Sequence, residues 1–137
     1  MNGESETSSA KASKRALVVD DSRVMRTMLR RLLERRGFDV VEAENGKAAL
    51  DRLALMRIPD LALVDWNMPE MNGIDLILAL RLDRNYDRML VMMVTTETEM
   101  SQVQRAMSAG ANEYVMKPFS EDVLGDKLTL LGFEDHG

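Results

Sequence analysis

The residues of this chain best suited to chemistry stand directly behind short apolar runs. Asp20-Asp21 follows ALVV, Asp65 closes LALVD, Thr95-Thr96 follows MLVMMV, and Lys117-Pro118 follows EYVM. If the runs at 16–20 and 61–65 are neighbouring strands, three carboxylates converge, and each pair about 4 Å apart repels by ~4 kcal/mol at an effective dielectric near 20. A helix-surface charge pair, worth ~0.3 to 0.5 kcal/mol, cannot offset that. The cluster therefore needs a cation, or takes up protons. Mg²⁺ suits it, because that ion takes one or two carboxylates, keeps several waters and completes its octahedron with phosphate oxygens. Lys117 adds a positive charge and Thr95 a hydroxyl donor, so the group fits a tetrahedral dianion beside a carboxylate. Such a site does phosphoryl transfer, in which positioning and charge neutralisation do most of the catalysis. An Asp can itself be the nucleophile and form an acyl phosphate.

The elements that must position these residues alternate along the chain. ALVVD (16–20) reads as a strand, and from Ser22 a helix follows in which Met25, Met28, Leu29, Leu32 and Leu33 recur at helical spacing, capped by Ser22 and stopped at Gly37. DVVEA (39–43) is a strand, and 46–56 a helix with Ala49, Leu50, Leu53 and Ala54 inward; Pro59 marks the turn. LALVD (61–65), 89–94 and 113–116 complete the strands, with helices over 73–82, 100–109 and 121–131. Strand-helix alternation predicts an α/β fold, a doubly wound five-stranded parallel sheet with five helices, because parallel crossovers place helices on both faces. In such a sheet ligands bind beyond the carboxyl ends of the strands, which is where the acids, Thr95 and Lys117 stand. Strand two ends in Ala43-Glu44, with less obvious chemistry.

Composition removes most competing chemistries. The chain has 137 residues, 45% apolar and 30% charged, enough for one domain. It lacks cysteine, which excludes disulfides, thiolate metal sites and cysteine nucleophiles. Its single histidine, His136, stands one residue from the end, which tells against a Ser-His-Asp triad, a multi-histidine metal site or a phosphohistidine carrier. A net charge of -5 has the wrong sign for nucleic acid or anionic lipid. The longest apolar run, 89–94, is far short of the ~20 residues a membrane span needs, and nothing near the start reads as a signal peptide. A cytoplasmic, monomeric protein is expected. Residues 1–14 hold no large apolar residue after Met1 and read as a flexible tail, with 15–137 as the domain. Only 19 residues follow Pro118, room for a helix and no output domain.

VVDDS (18–22), LVDWNMPEMNG (63–73), MVTTE (93–97) and AGANEYVMKPF (109–119) together resemble the receiver domains of two-component response regulators, in particular the stand-alone chemotaxis regulators. The resemblance covers 16–131 and implies a flavodoxin-like strand order of 2-1-3-4-5. It implies that Asp65 is the phosphoacceptor, that Asp21 holds Mg²⁺ directly and Asp20 through water, and that Asn67 gives the metal its backbone carbonyl. Thr95 would bind a phosphoryl oxygen, Lys117 would pair with the phosphoryl group across a cis Lys117-Pro118 bond, and Tyr114 would turn inward as Thr95 moves. Asn67 and Glu97 occupy the positions that tune dephosphorylation. Val103, Met116, Phe119 and Lys127 would form the partner face. A histidine kinase would be the phosphodonor, and a chemotaxis component or the flagellar motor switch the target. Glu99 and Met100 stand where motor-binding regulators carry basic residues, which tells against the motor.

Other readings stand beside this one. An acid at 20 or 21 could simply cap the next helix, but that leaves Asp65 unexplained. Arg23, Arg26 and Arg30 form a basic stripe on helix one, either a solvated face or a kinase-docking one. Trp66 and most of the 12 methionines read as packing, with Met100 and Met116 as candidates for a partner-facing surface. Aspartyl-nucleophile phosphatases of the haloacid dehalogenase type share Asp, Mg²⁺ and Lys, but carry D-x-D on the first strand, whereas the acids here are adjacent and the third lies 44 residues beyond Asp21. A phosphorelay intermediate or a phosphate sink would use the same Asp65 chemistry. A nucleotide-switch GTPase is excluded by the missing G-x-x-x-x-G-K-[ST].

Overall fold

The computed structural model describes residues 14–96 and 100–133. Strands β1 (Lys14–Val19), β2 (Phe38–Ala43), β3 (Leu61–Asp65), β4 (Leu90–Thr95) and β5 (Glu113–Met116) alternate with helices α1 (Arg23–Arg35), α2 (Gly46–Ala54), α3 (Gly73–Arg81), α4 (Met100–Ala109) and α5 (Glu121–Leu130). All neighbouring strands are parallel, in the order β2-β1-β3-β4-β5. Because the order reverses between β1 and β3, the loops after these two strands diverge and leave a crevice at the carboxyl edge. The register makes that edge even: Val19 pairs with Val64, Asp65 with Val94, and Thr95 with Met116.

Strand alternation divides the apolar residues between two cores. Leu17, Val19, Ala62, Val64, Val91 and Met93 face α2, α3 and α4, while Ala16, Val18, Leu61, Leu63, Met92 and Val94 face α1 and α5. Burial on both faces is why β3 reads as an uninterrupted apolar run. Side-chain oxygens start the helices: Ser22 accepts from Met25 N at 3.2 Å, Asn45 from Ala48 N at 2.8 Å, Asn72 from Asp75 N at 2.9 Å and Ser120 from Val123 N at 3.1 Å. After α1, Gly37 takes the left-handed turn at φ 91°.

The boundaries depart from the sequence expectation where side chains find partners that periodicity does not show. β1 begins at Lys14 rather than Ala16, and the Lys14 ammonium lies 4.7 Å from the Phe38 ring centre. Residues 1–13 lie outside the described residues, as does His136. Met28, expected inward, is exposed, since the apolar stripe of α1 is centred on Leu29, Leu32 and Leu33. α2 ends at Ala54, itself exposed, and not at Met56. A 3-10 turn over Arg84–Tyr86, not expected, follows α3. Arg81 holds it in place by donating to the Tyr86, Met89 and Gly110 carbonyls at 2.7, 2.9 and 3.1 Å and to Asn112 Oδ1 at 3.0 Å. Among the described residues no helix is long and apolar enough to cross a membrane.

Candidate phosphoryl-transfer site

Asp20 is the first residue beyond β1, and its N–H still pairs with the Ala43 carbonyl at 3.1 Å, so the sheet carries it into the crevice. Its carboxylate, 1% exposed, accepts from Ser22 N at 2.8 Å. Asp21, next along, is exposed. Asp65 ends β3 at 5% exposure and Thr95 ends β4 at 2%. Lys117 follows β5, its N–H donating to the Thr95 carbonyl at 2.7 Å, and a cis peptide bond joins it to Pro118. The Lys117 ammonium donates to Asp65 Oδ1 at 3.1 Å and Asp20 Oδ2 at 3.4 Å. Carboxylate oxygens of Asp20, Asp21 and Asp65 all lie within 4.8 Å of one another. The structure thus brings together the residues expected to act on a phosphoryl group.

The electrostatics follow from this crowding. Burial, and next the Asp20 charge, push the Asp65 carboxyl above its ordinary value; Lys117 pulls the other way without cancelling them, and Asp21 adds to the rise. For Lys117, burial favours the neutral amine, but the hydrogen bond to Asp65 and the charges of Asp20 and Asp65 outweigh it, and the ammonium is held above the ordinary lysine value. Three carboxylates against one ammonium leave a formal double negative charge, which a divalent cation would cancel. The donors are all hard oxygens and one carboxylate faces solvent, so the residues fit Mg²⁺, an ion that keeps several of its waters.

The loop after Asp65 is built onto that residue's own backbone. Trp66 N donates to the Val94 carbonyl at 3.0 Å and Gly73 N to the Trp66 carbonyl at 2.8 Å, so α3 starts against the end of β3. A Cβ on Gly73 would collide with the Asp65 carbonyl oxygen and come 3.0 Å from Trp66 Cα, which is why glycine stands there. Trp66 and Met68 are buried in the core, as packing residues should be, while Asn67 is exposed on the loop.

On the neighbouring face Tyr114 is half-buried on β5, with the Lys127 ammonium 4.5 Å from its ring centre and 3.0 Å from Glu113 Oε1. Met116 is 39% exposed, and Phe119 and Lys127 are half-buried beside it. Val103, expected on the partner face, is corrected: at 7% exposure it lies on the buried side of α4 with Ala106 and Ala109 and offers a partner almost no surface. Glu97 and Glu99 lie outside the described residues.

Sequence reasoning missed the residues behind the acids. Arg26 Nη1 donates to the Asp20 carbonyl at 2.7 Å and its Nε to Glu42 Oε1 at 3.1 Å, while Arg30 Nε takes Glu42 Oε2 at 2.6 Å. Two of the three arginines of the basic stripe are thus engaged within the chain. Arg26 and Arg30, four apart on a helix, together with the acid Glu42 next to the Val pair of β2, were the available signal.

A doubly wound sheet with an acid-lysine pocket at its reversal point defines the class to which comparison then gives a name. Residues 16–129 match the response regulator receiver domain, and the chain belongs to that family, whose members are signalling switches rather than metabolic enzymes. It is similar to the chemotaxis protein CheY1 of Helicobacter pylori, 43% identical over 87% of this chain and 98% of that one. A chemotaxis CheY homolog of Campylobacter jejuni is 45% identical over 82% of this chain and 87% of its own. Among solved structures, the chemotaxis response regulator CheY4 of Vibrio cholerae superposes with a TM-score of 0.81 at 32% identity, covering 87% of this chain and 98% of that one.

Proposed function

We propose that this chain is a phosphorylation-controlled switch in chemotaxis or motility signalling, modified on Asp65 by a partner histidine kinase. The observation that carries the reading is the Lys117 ammonium bridging two buried carboxylates at the mouth of the sheet. An Asp65 oxygen attacks the phosphorus of a phosphohistidine; the new P–O bond forms as the P–N bond breaks, and the imidazole leaves with a proton. Asp20, Asp21, Asp65 and the Asn67 backbone carbonyl would hold Mg²⁺, which when bound supplies the positive charge that lets a phosphoryl dianion approach. Lys117 neutralises the phosphoryl oxygens, and its hydrogen bond to Asp65 keeps it aimed at them. The names and high coverage of the relatives support chemotaxis.

Output follows from the threonine and the tyrosine. Thr95 moves toward phosphorylated Asp65, Tyr114 takes the vacated space, and the surface of α4, β5 and α5 around Met116, Phe119 and Lys127 changes shape. Beryllofluoride, which mimics the phosphoryl group, is expected to shift the amide resonances of Thr95, Tyr114 and this face. A spectrum in which those amides stay put while Asp65 and Lys117 respond would refute the switch.

Lifetime is set by how water reaches the phosphorus in line with the leaving carboxylate. Asn67 is exposed on the loop after Asp65 and polar, able to orient water rather than exclude it, and Glu97 is read in the same way from its sequence position. A short-lived phosphorylated state is therefore expected, prolonged about tenfold or more, or by at least ~1.4 kcal/mol of barrier, when Asn67 is replaced by Arg or Tyr. A decay assay with the kinase removed decides this: persistence for hours in the unaltered chain, or unchanged decay in the variants, tells against it.

A further inference from the structure

We infer that Arg26 is a positioning residue for the metal-binding turn, acting through the Asp20 carbonyl. The inference rests on the proposed role of Asp20 and Asp21 as metal-site residues and adds a residue that touches neither metal nor phosphoryl group. The polar groups of Asp20 are all engaged: its N–H with the Ala43 carbonyl, one carboxylate oxygen with Ser22 N, the other with Lys117, and its carbonyl with Arg26 Nη1 at 2.7 Å. That carbonyl belongs to the peptide joining Asp20 to Asp21. Fixing its plane fixes the direction from which the exposed Asp21 side chain projects into the crevice.

Arg26 suits this task because helical side chains lean toward the helix N-terminus, so a residue in the first turn of α1 reaches back over the loop that precedes it. Its guanidinium is planar and donates from two nitrogens in fixed geometry. Nε is anchored on Glu42 Oε1 while Nη1 holds the carbonyl. Glu42 is in turn steadied by Arg30 Nε, which itself also reaches Glu34 through Nη1 at 3.2 Å. Burial favours the neutral acid at Glu42, but the hydrogen bonds from Arg30 and Arg26 outweigh it and keep the anchor ionised. Arg26 meets the site through its hydrogen bond to the Asp20 carbonyl, so the inference concerns the geometry of the turn. Arg30 shares the anchor but, unlike Arg26, has no hydrogen bond to Asp20 among the described residues, which makes it the natural control.

The test titrates the whole chain with Mn²⁺, used in place of Mg²⁺, and reads free metal by electron paramagnetic resonance, with thermal melts of each variant alongside. Arg26→Gln and Arg26→Lys are both expected to bind Mn²⁺ about tenfold more weakly, the low end of what outer-shell partners commonly carry; the lysine keeps the charge but not the fork. Arg30→Gln is expected to bind within about twofold of the unaltered chain. A purely structural role would lower the melting temperature and leave metal affinity unmoved, and that result overturns the inference. So does an Arg30→Gln variant as weak as Arg26→Gln, which would assign the effect to Glu42 alone. If the unaltered chain binds no Mn²⁺, or Asp21→Asn binds it equally well, the metal-site reading itself fails, a result distinct from either.

Discussion

Asp65→Asn abolishes labelling by acetyl phosphate while the chain stays folded and melts a few degrees higher. The loss is complete because an amide nitrogen or oxygen cannot replace the attacking carboxylate. The gain in stability comes from the same group: Asp65 is buried beside Asp20, and its carboxyl is held above the ordinary aspartate value by burial and that neighbouring charge. The sign is fixed by proton linkage. A carboxyl whose folded value exceeds its unfolded one binds protons more readily in the folded chain, so without metal stability falls as pH rises from the ordinary aspartate range through the raised value. The variant loses that fall. Mass spectrometry reads the label and thermal melts against pH read the linkage; full labelling on another residue, or the same pH-dependent loss in the variant, would sink the assignment of Asp65.

Removing divalent metal with EDTA is expected to slow labelling by about 100-fold or more. A divalent cation supplies several kcal/mol of charge stabilisation to a phosphoryl oxygen, and ~1.4 kcal/mol is a factor of ten. The pocket itself explains the dependence, since Asp20, Asp21 and Asp65 outnumber Lys117 and their oxygens lie within 4.8 Å of one another. A phosphoryl dianion meets net negative charge unless a cation is present. The single tryptophan, Trp66, follows Asp65 directly, so quenching of its fluorescence by added Mg²⁺ gives a second readout. Undiminished labelling in EDTA refutes the metal role of Asp20 and Asp21.

What could be read from the residues was what strand ends dictate. Asp20, Asp65, Thr95 and Lys117 each sit behind an apolar run, and in a parallel sheet such positions share one edge, so their meeting followed once the runs were taken as strands. The doubly wound architecture was readable for the same reason, and the order β2-β1-β3-β4-β5 agrees with what the family resemblance implied. Arg26 and Glu42 were not readable, because they lie 16 residues apart and their bond depends on which way a helix in its first turn faces a neighbouring strand. Val103 failed differently: its place on α4 was right, but the rotation of a helix about its axis decides whether a residue faces core or solvent, and Val103 turned inward with Ala106 and Ala109. The Arg81 cluster was invisible because its acceptors are backbone carbonyls, which carry no residue-type signature.

Gly73 bears on how this chain could drift over generations. It has no functional group, yet a single methyl at that point would press on the carbonyl oxygen of Asp65 and the Cα of Trp66. Asp65 and helix α3 are therefore not separately adjustable; the strand end cannot move without carrying the helix start with it. An unbiased screen for variants that lose signalling would return position 73 among the acids, and a lineage that swapped this glycine would have to rebuild the loop from 66 to 72 before it regained a working aspartate.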